Sequence, residues 1–130
     1  MKMTKPKHIK IGFSFGNKPL KDHYFKPKTT ITIGNSKRNK IVIPSWPGRD
    51  KFPLLVYTRK GYQLNYTDSM IGRLSIGNHV LTLDDLIARG LAMKTKNSYQ
   101  VYISEKVRGK FILEGIKILL IFVLPTSVRN

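Results

Sequence analysis

The sequence predicts an all-β sandwich or barrel of about ten strands with one short helix. Three observations support this fold class. Apolar residues alternate with polar ones over short segments, which is the period-two pattern of half-buried strands. Glycine, proline and asparagine separate these segments roughly every 8–12 residues, a spacing typical of sandwiches and barrels. Apolar residues at helical spacing stand out near residue 85.

Ten segments are predicted to be strands. The first runs from Ile9 to Phe15, where every second residue is isoleucine or phenylalanine. The others, in chain order, are 31–33, 41–43, 54–58, 62–66, 74–76, 80–82, 99–103, 111–113 and 116–123. Short glycine-containing stretches at 59–61, 77–79 and 114–115 separate consecutive segments, so each predicts a hairpin turn.

One helix is predicted from Leu83 to Arg89, inserted late in the chain. Thr82 followed three residues later by Asp85 resembles a capping box, and acidic residues suit the positive start of a helix. Gly90 suits the end of the helix, because glycine tolerates the left-handed conformation found there.

The composition limits the domain organisation and the class of partner. The chain has 130 residues, the length of one domain, so we expect a single domain over 1–130. It has 24 basic and 7 acidic residues, a net charge of +17, which favours anionic partners. It has no cysteine, which excludes disulfides and thiolate metal sites. The longest apolar run is too short to span a membrane, so a cytoplasmic location is expected.

The sequence offers little support for catalysis. His8, His23 and His79 lie in separate segments without the spacing of metal ligands. The adjacent carboxylates Asp84 and Asp85 are explained by the start of the helix, and neither a phosphate-binding P-loop nor a nucleophile elbow is present. We therefore expect a protein that is not an enzyme and that needs no cofactor or metal.

Two stretches together resemble the forkhead-associated (FHA) family. Residues 31–43 read ITIGNSKRNKIVI and resemble the family's x-I-G-R-S-x-x-N-x-I-x-L. Residues 68–77 read DSMIGRLSIG and resemble its S-x-N-G-T-x-x-N-G. The resemblance covers about residues 28–83 and implies an FHA-like β-sandwich of about ten to eleven strands. Residues 107–124 are also similar to FHA-like modules at the N-terminus of bacterial gliding-motility and TonB-like energy-transducing proteins.

The resemblance implies recognition of phosphothreonine peptides by loops at one end of the sandwich. Several residues that carry this recognition in the family are replaced. Asn35 stands where the family has a phosphate-binding arginine, and Ile71 and Ile76 stand where it has asparagines. The family's S-x-x-H stretch is absent between Pro44 and Leu55. An arginine fork binds phosphate better than an amide does, so the usual high-affinity site is not expected.

We therefore expect a protein-interaction module with a degenerate phosphopeptide site. Its partner would be a protein or peptide, phosphorylated or not. Loops 34–39, 44–53 and 67–73 would form the recognition end. The side chains expected to contact the ligand are polar or cationic residues of these loops: Ser36, Arg38, Asn39, Arg49 and Arg73.

Two other functions compete with this one. A nucleic-acid-binding β-domain would use the +17 charge, and its affinity would fall steeply with salt. A structural module that docks on another domain of a longer protein would show an exposed apolar patch and would bind no ligand at the loops.

Overall fold

A computed structural model describes residues 6–16, 18, 21–43, 50–113 and 115–124. Within these ranges the chain forms twelve strands and one helix, which confirms the all-β sandwich. The strands are β1 (His8–Phe15), β2 (Lys21–Phe25), β3 (Ile31–Gly34), β4 (Ile41–Val42), β5 (Phe52–Thr58), β6 (Gly61–Tyr66), β7 (Met70–Ile76), β8 (His79–Thr82), β9 (Met93–Lys94), β10 (Tyr99–Ile103), β11 (Arg108–Leu113) and β12 (Ile116–Val123). The helix is α1 (Leu83–Ala88).

The strands form two sheets of six. Sheet I has the order β2-β1-β12-β11-β7-β8, and sheet II has the order β4-β3-β5-β6-β10-β9. Neighbouring strands pair antiparallel except β3 and β4, which are parallel. The long pairing of β1 with β12 joins the two ends of the described chain in the middle of sheet I.

Alternation along the strands gives each sheet one buried face. In β12, the residues Ile116, Ile118, Leu120 and Phe122 are buried, whereas the residues between them are half-buried or exposed. The ring of Phe122 lies 4.9 Å from that of Tyr62 in sheet II, so the two buried faces form one core. Burial of each such large side chain contributes about 1.5–3 kcal/mol.

The helix begins and ends as the sequence predicts, to within one residue. The Thr82 side chain accepts a hydrogen bond from the Asp85 backbone, and the Asp85 carboxylate accepts one from Thr82 N–H, each at 3.0 Å. This capping box satisfies two backbone donors that the first turn leaves unpaired. The hydroxyl of buried Tyr66 donates to the Leu83 carbonyl at 3.2 Å, which ties the helix to sheet II.

Four elements differ most from the sequence prediction. The edge strands β2 and β9 were not predicted, β7 begins at Met70 instead of Leu74, and β11 begins at Arg108 instead of Phe111. Residues 70–75 pair with β11, and this pairing extends β7 toward its N-terminus. The loop expected over 67–73 is therefore only residues 67–69.

The pairing brings three loops to the same end of the sandwich. Because β5 runs antiparallel to β3 and β6, the end of β3, the start of β5 and the end of β6 lie together. We call residues 35–40, 50–51 and 67–69 the loop end. The turns at 59–60 and 77–78 lie at the opposite end.

Candidate recognition site

The loop that follows β3 is held against the residues that precede β5. The Ser36 backbone N–H donates to the Asp50 carbonyl at 3.1 Å. The Ile43 N–H donates to the Gly34 carbonyl at 2.7 Å. These bonds close both ends of the loop, so residues 35–40 form a braced turn at the rim of sheet II.

The Asn39 side chain is the central brace of this loop. It is 8% exposed, and its Nδ2 donates to the Ser36 carbonyl at 2.8 Å and to the Asp50 carbonyl at 2.7 Å. Among the described residues, its buried Oδ1 has no hydrogen-bond partner. Asn39 was predicted to contact a ligand; in the structure its two N–H donors bind the Ser36 and Asp50 carbonyls, which gives it a role in positioning the loop.

Gly34 is required by this packing. A Cβ atom at residue 34 would lie 2.4 Å from the Asp50 carbonyl oxygen and 2.9 Å from Asn39 Nδ2. Real Cβ atoms do not approach other heavy atoms so closely. The absence of a side chain at residue 34 therefore admits the backbone of residue 50 and the Asn39 amide.

Ser36 and Arg38 lie at the surface of the braced loop. The Ser36 hydroxyl is half-buried and accepts a hydrogen bond from the Arg38 N–H at 3.3 Å. A hydroxyl that accepts one bond can still donate another. The Arg38 side chain is exposed, so its guanidinium is accessible to a ligand.

The loop end has an excess of positive charge. Its exposed cations among the described residues are Lys37, Arg38, Lys40 and Lys51, and its exposed carboxylates are Asp50 and Asp68. The neighbouring loop adds the hydroxyl of exposed Ser69, which lies 2.8 Å from the hydroxyl of buried Thr67. Cations beside hydroxyls form a surface that can bind an anionic group.

The structure separates Arg73 from the other predicted contacts. Arg73 lies within β7, directly opposite Lys110 of β11, and its side chain is on the outward face of sheet I. Sequence reasoning placed it in a loop because the strand was predicted to start too late. Arg49 lies outside the described residues. The structure thus brings together Ser36, Arg38 and Asn39 and puts Arg73 on another surface.

Ile71 and Ile76 lie far apart in the structure. Ile71 is near the start of β7 and is 71% exposed, whereas Ile76 ends the strand and is 48% exposed. Because β7 runs away from the loop end, Ile76 is at the opposite end of the sandwich. Of the two, only Ile71 lies close to the loop end.

Two features were missed by sequence reasoning. The first is the Asp50 carbonyl, which receives both Ser36 N–H and Asn39 Nδ2; a backbone acceptor leaves no signal in a sequence. The second is the pairing of Arg73 with Lys110 across β7 and β11. The alternation of Arg108 and Lys110 with buried residues does indicate a cationic strand face, but not what lies opposite.

Three further features of the described residues bear on possible ligands and location. Among the residues that the structure describes, no group of three or more histidine, aspartate or glutamate side chains could hold a metal ion. No helix in the part of the chain that the structure describes is long and apolar enough to cross a bilayer. A cavity of about 480 Å³ opens between helix α1 and β10, and its lining is mostly aliphatic.

No protein-family model, curated protein or solved structure matches this chain.

Proposed function

We propose that this domain is a non-enzymatic protein-interaction module of FHA type that binds an acidic or phosphorylated peptide at the loop end. The observation that carries the proposal is the Asn39 brace. It holds residues 35–40 against Asp50 through two hydrogen bonds of 2.7 and 2.8 Å. A loop fixed in this way presents Ser36 and Arg38 with little loss of conformational entropy on binding.

The chemistry of the loop end favours an anionic group. Arg38 offers a planar set of N–H donors, and Ser36 offers a hydroxyl next to it. Lys37 and Lys51 add positive charge around them. Hydrogen bonds from a charged donor to a phosphate or carboxylate are about twice as strong as neutral ones. Arg38 is therefore the residue on which the proposed affinity depends most.

The replaced residues determine which ligand fits. The Asn35 amide is a weaker phosphate partner than arginine, and Ile71 has no side-chain donor for a peptide backbone. The proposed ligand therefore makes its main contact through the anion, with few hydrogen bonds to the peptide main chain. A binding site of this kind is expected to tolerate different flanking sequences.

The test measures peptide binding by fluorescence anisotropy. The probe is a set of phosphothreonine peptides, each with an unphosphorylated and a glutamate-substituted counterpart. We expect Arg38→Ala to weaken binding by about ten- to a hundredfold, the range for one charged hydrogen-bonding partner. Ser36→Ala is expected to have a smaller effect, since its hydroxyl is neutral.

Matched controls lie at the opposite end of the sandwich. Ser104 Oγ accepts from the Lys106 N–H at 3.3 Å, as Ser36 Oγ accepts from the Arg38 N–H. Arg59 is an exposed turn arginine. Ser104→Ala and Arg59→Ala should leave the peptide affinity unchanged. The proposal is wrong if Arg59→Ala and Arg38→Ala have equal effects, or if no peptide in the set binds.

The same protein distinguishes the nucleic-acid alternative. Binding to duplex DNA would show a slope of log affinity against log salt near −0.9 for each phosphate neutralised. Peptide binding through one anionic group predicts a much shallower slope. A steep slope with DNA, together with no peptide binding, would replace the proposed function with the nucleic-acid one.

A further inference from the structure

The outward face of sheet I has a composition that the loop end does not explain. Side chains alternate between the two faces of each strand, and the strand register shows which residues of all six strands point outward. Its charged members are Lys10, Asp22, Arg73, Arg108, Lys110 and Lys117. Its exposed or half-buried apolar members are Tyr24, Ile71, Val80, Ile112, Leu119, Ile121 and Val123. The face is therefore both cationic and apolar.

The positive charge of this face is mostly unpaired. Among its described residues there are five cations and one carboxylate, and that carboxylate, Asp22, lies 3.7 Å from Lys10. Arg73 and Lys110 are direct cross-strand partners, and Arg108 lies two residues from Lys110 on the same face. Like charges directly opposite in a sheet destabilise it. An external anion would remove this repulsion.

Aliphatic side chains lie directly beside these cations. Ile71 and Ile112 are cross-strand partners with exposures of 71% and 39%, and Val80 is 54% exposed. A shallow depression of about 320 Å³ is lined by Ile71, Gly72, Arg73, Thr82, Lys110 and Ile112. A ligand in this depression would meet two cations and two isoleucines together.

We propose that the outward face of sheet I docks on the surface of an anionic lipid bilayer. Exposed aliphatic residues can enter the boundary between headgroups and acyl chains, while lysine and arginine side chains pair with anionic headgroups. This combination fits the face better than a nucleic acid does. A duplex offers phosphates but no apolar layer for the exposed aliphatic side chains. The bases of single strands stack on aromatic rings, and Tyr24, at the β2 edge, is the one Phe, Tyr or Trp among the described residues that face outward there.

The two proposed surfaces meet at Ile71, near the start of β7, and are otherwise separate. The loop end is at the end of the sandwich, whereas the docking face is the broad side of sheet I. A domain lying on a bilayer through this face would keep Ser36 and Arg38 accessible from the side. Lipid docking does not depend on peptide binding, so each proposal can fail without the other.

The test is co-sedimentation with vesicles at physiological ionic strength. The probe is phosphatidylcholine vesicles with and without phosphatidylserine. We expect binding to the anionic vesicles and little to the neutral ones. The triple variant Arg73→Gln/Arg108→Gln/Lys110→Gln should lower the partition coefficient by about a hundredfold, at about fivefold for each cation removed.

The control variant removes the same number of positive charges from other surfaces of the domain. Arg59→Gln/Arg89→Gln/Lys94→Gln also removes two arginines and one lysine, all of them exposed and none on the docking face. It should bind the anionic vesicles nearly as well as the unmodified chain. The apolar contribution is tested with Ile71→Thr/Ile112→Thr, which should weaken binding several-fold. Ile76→Thr/Leu91→Thr, at exposed positions away from the docking face, should not.

A footprint on the unmodified chain tests the orientation without any variant. Amine labelling in the presence of anionic vesicles should be reduced at Lys10, Lys110 and Lys117 and unchanged at Lys60 and Lys94. The proposal is overturned if the vesicles protect Lys60 and Lys94 instead, or if the two triple variants lose equal affinity for anionic vesicles. It is also overturned if the isoleucine variant binds like the unmodified chain, or if the chain binds duplex DNA but not vesicles.

Discussion

The Asn39 side-chain nitrogen lies 2.7 Å from the carbonyl oxygen of Asp50, eleven positions along the chain. The same nitrogen donates to the Ser36 carbonyl. One buried amide therefore connects the loop after β3 to the start of β5. This connection fixes the loop at the rim of sheet II. Replacing the side-chain nitrogen of Asn39 with oxygen would remove both hydrogen bonds.

Asn39→Asp should destabilise the domain by about 2–3 kcal/mol. The substitution keeps the shape of the side chain but replaces the donor with an oxygen that faces two carbonyl oxygens. Urea unfolding measures the free energy. Asn78→Asp, in an exposed turn, is the matched control and should change stability little. Equal effects of the two substitutions would show that the Asn39 brace does not stabilise the fold.

Gly72→Ala should destabilise sheet I although residue 72 lies in a regular strand. The added Cβ would lie 2.3 Å from the Lys110 carbonyl oxygen and 2.9 Å from Phe111 Cδ1, so β7 and β11 would have to separate. We expect a loss of about 1–3 kcal/mol in urea unfolding. Ser75→Ala, on the outward face of the same strand, should stay within about 0.5 kcal/mol of the unmodified chain. A neutral Gly72→Ala would contradict the close approach.

Tyr66→Phe should cost about 1 kcal/mol, because it removes the hydrogen bond to the Leu83 carbonyl from a buried site. The control is Tyr102→Phe, since Tyr102 is 48% exposed. Thermal unfolding followed by circular dichroism measures both. If the helix did not depend on this bond, the two variants would melt alike.

The stability difference between the unmodified chain and Tyr66→Phe should change at high pH. Burial raises the pKa of Tyr66 from its ordinary value of 10.0 to about 12. The unfolded chain therefore loses the phenolic proton first as the pH rises, and the stabilising effect of Tyr66 declines between pH 10 and 12. Urea unfolding of both proteins across this range measures the difference. A constant difference would show that the hydroxyl is not held in its neutral form.

His23 should make the domain less stable in mild acid. Its ring stacks against Phe13 and Phe25, and burial, together with nearby Lys21, lowers the pKa of His23. Below about pH 6.5, the ordinary histidine pKa, the unfolded state binds the proton more readily than the folded state. Stability should therefore fall as the pH decreases below that value.

His23→Phe should reduce this dependence, because it keeps the ring stack and removes the titrating group. The measurement is urea unfolding on both sides of the histidine pKa. His79→Phe applies the same exchange at an exposed position and should leave the dependence in place. If the pH dependence of stability disappeared only in the His79→Phe variant, His23 would not be the group responsible for it.

The periodicity of apolar residues predicted most of the fold. Segments such as 116–123 alternate strongly because one face of the sheet is buried, and their hairpin turns contain glycine or asparagine. Strand β2 was missed because its sequence, KDHYF, contains three charged or polar residues. It becomes a strand because β1 supplies a partner for its backbone, with His23 opposite Ile11.

The candidate site was predicted only in part. The spacing of Gly34, Ser36 and Asn39 indicated one loop; the structure places Ser36 and Asn39 in that loop and Gly34 at the end of β3, directly before it. Arg73 was assigned to the same surface because it is close to residue 69 in the chain. It lies within β7, however, and its side chain is on the outward face of sheet I. A shift of one residue in a strand moves a side chain to the opposite face, so a loop boundary misplaced by a few residues changes the surface.

Turn chemistry, capping and apolar alternation are local properties of the chain, so they were enough to indicate most of the strands and the helix. The partners of each element were decided by the tertiary structure. The contact of Asn39 with the Asp50 backbone and the pairing of Arg73 with Lys110 arise from strand register, which depends on how two whole sheets bury their apolar faces together. Local patterns carry no information about that register, and both proposed surfaces depend on it.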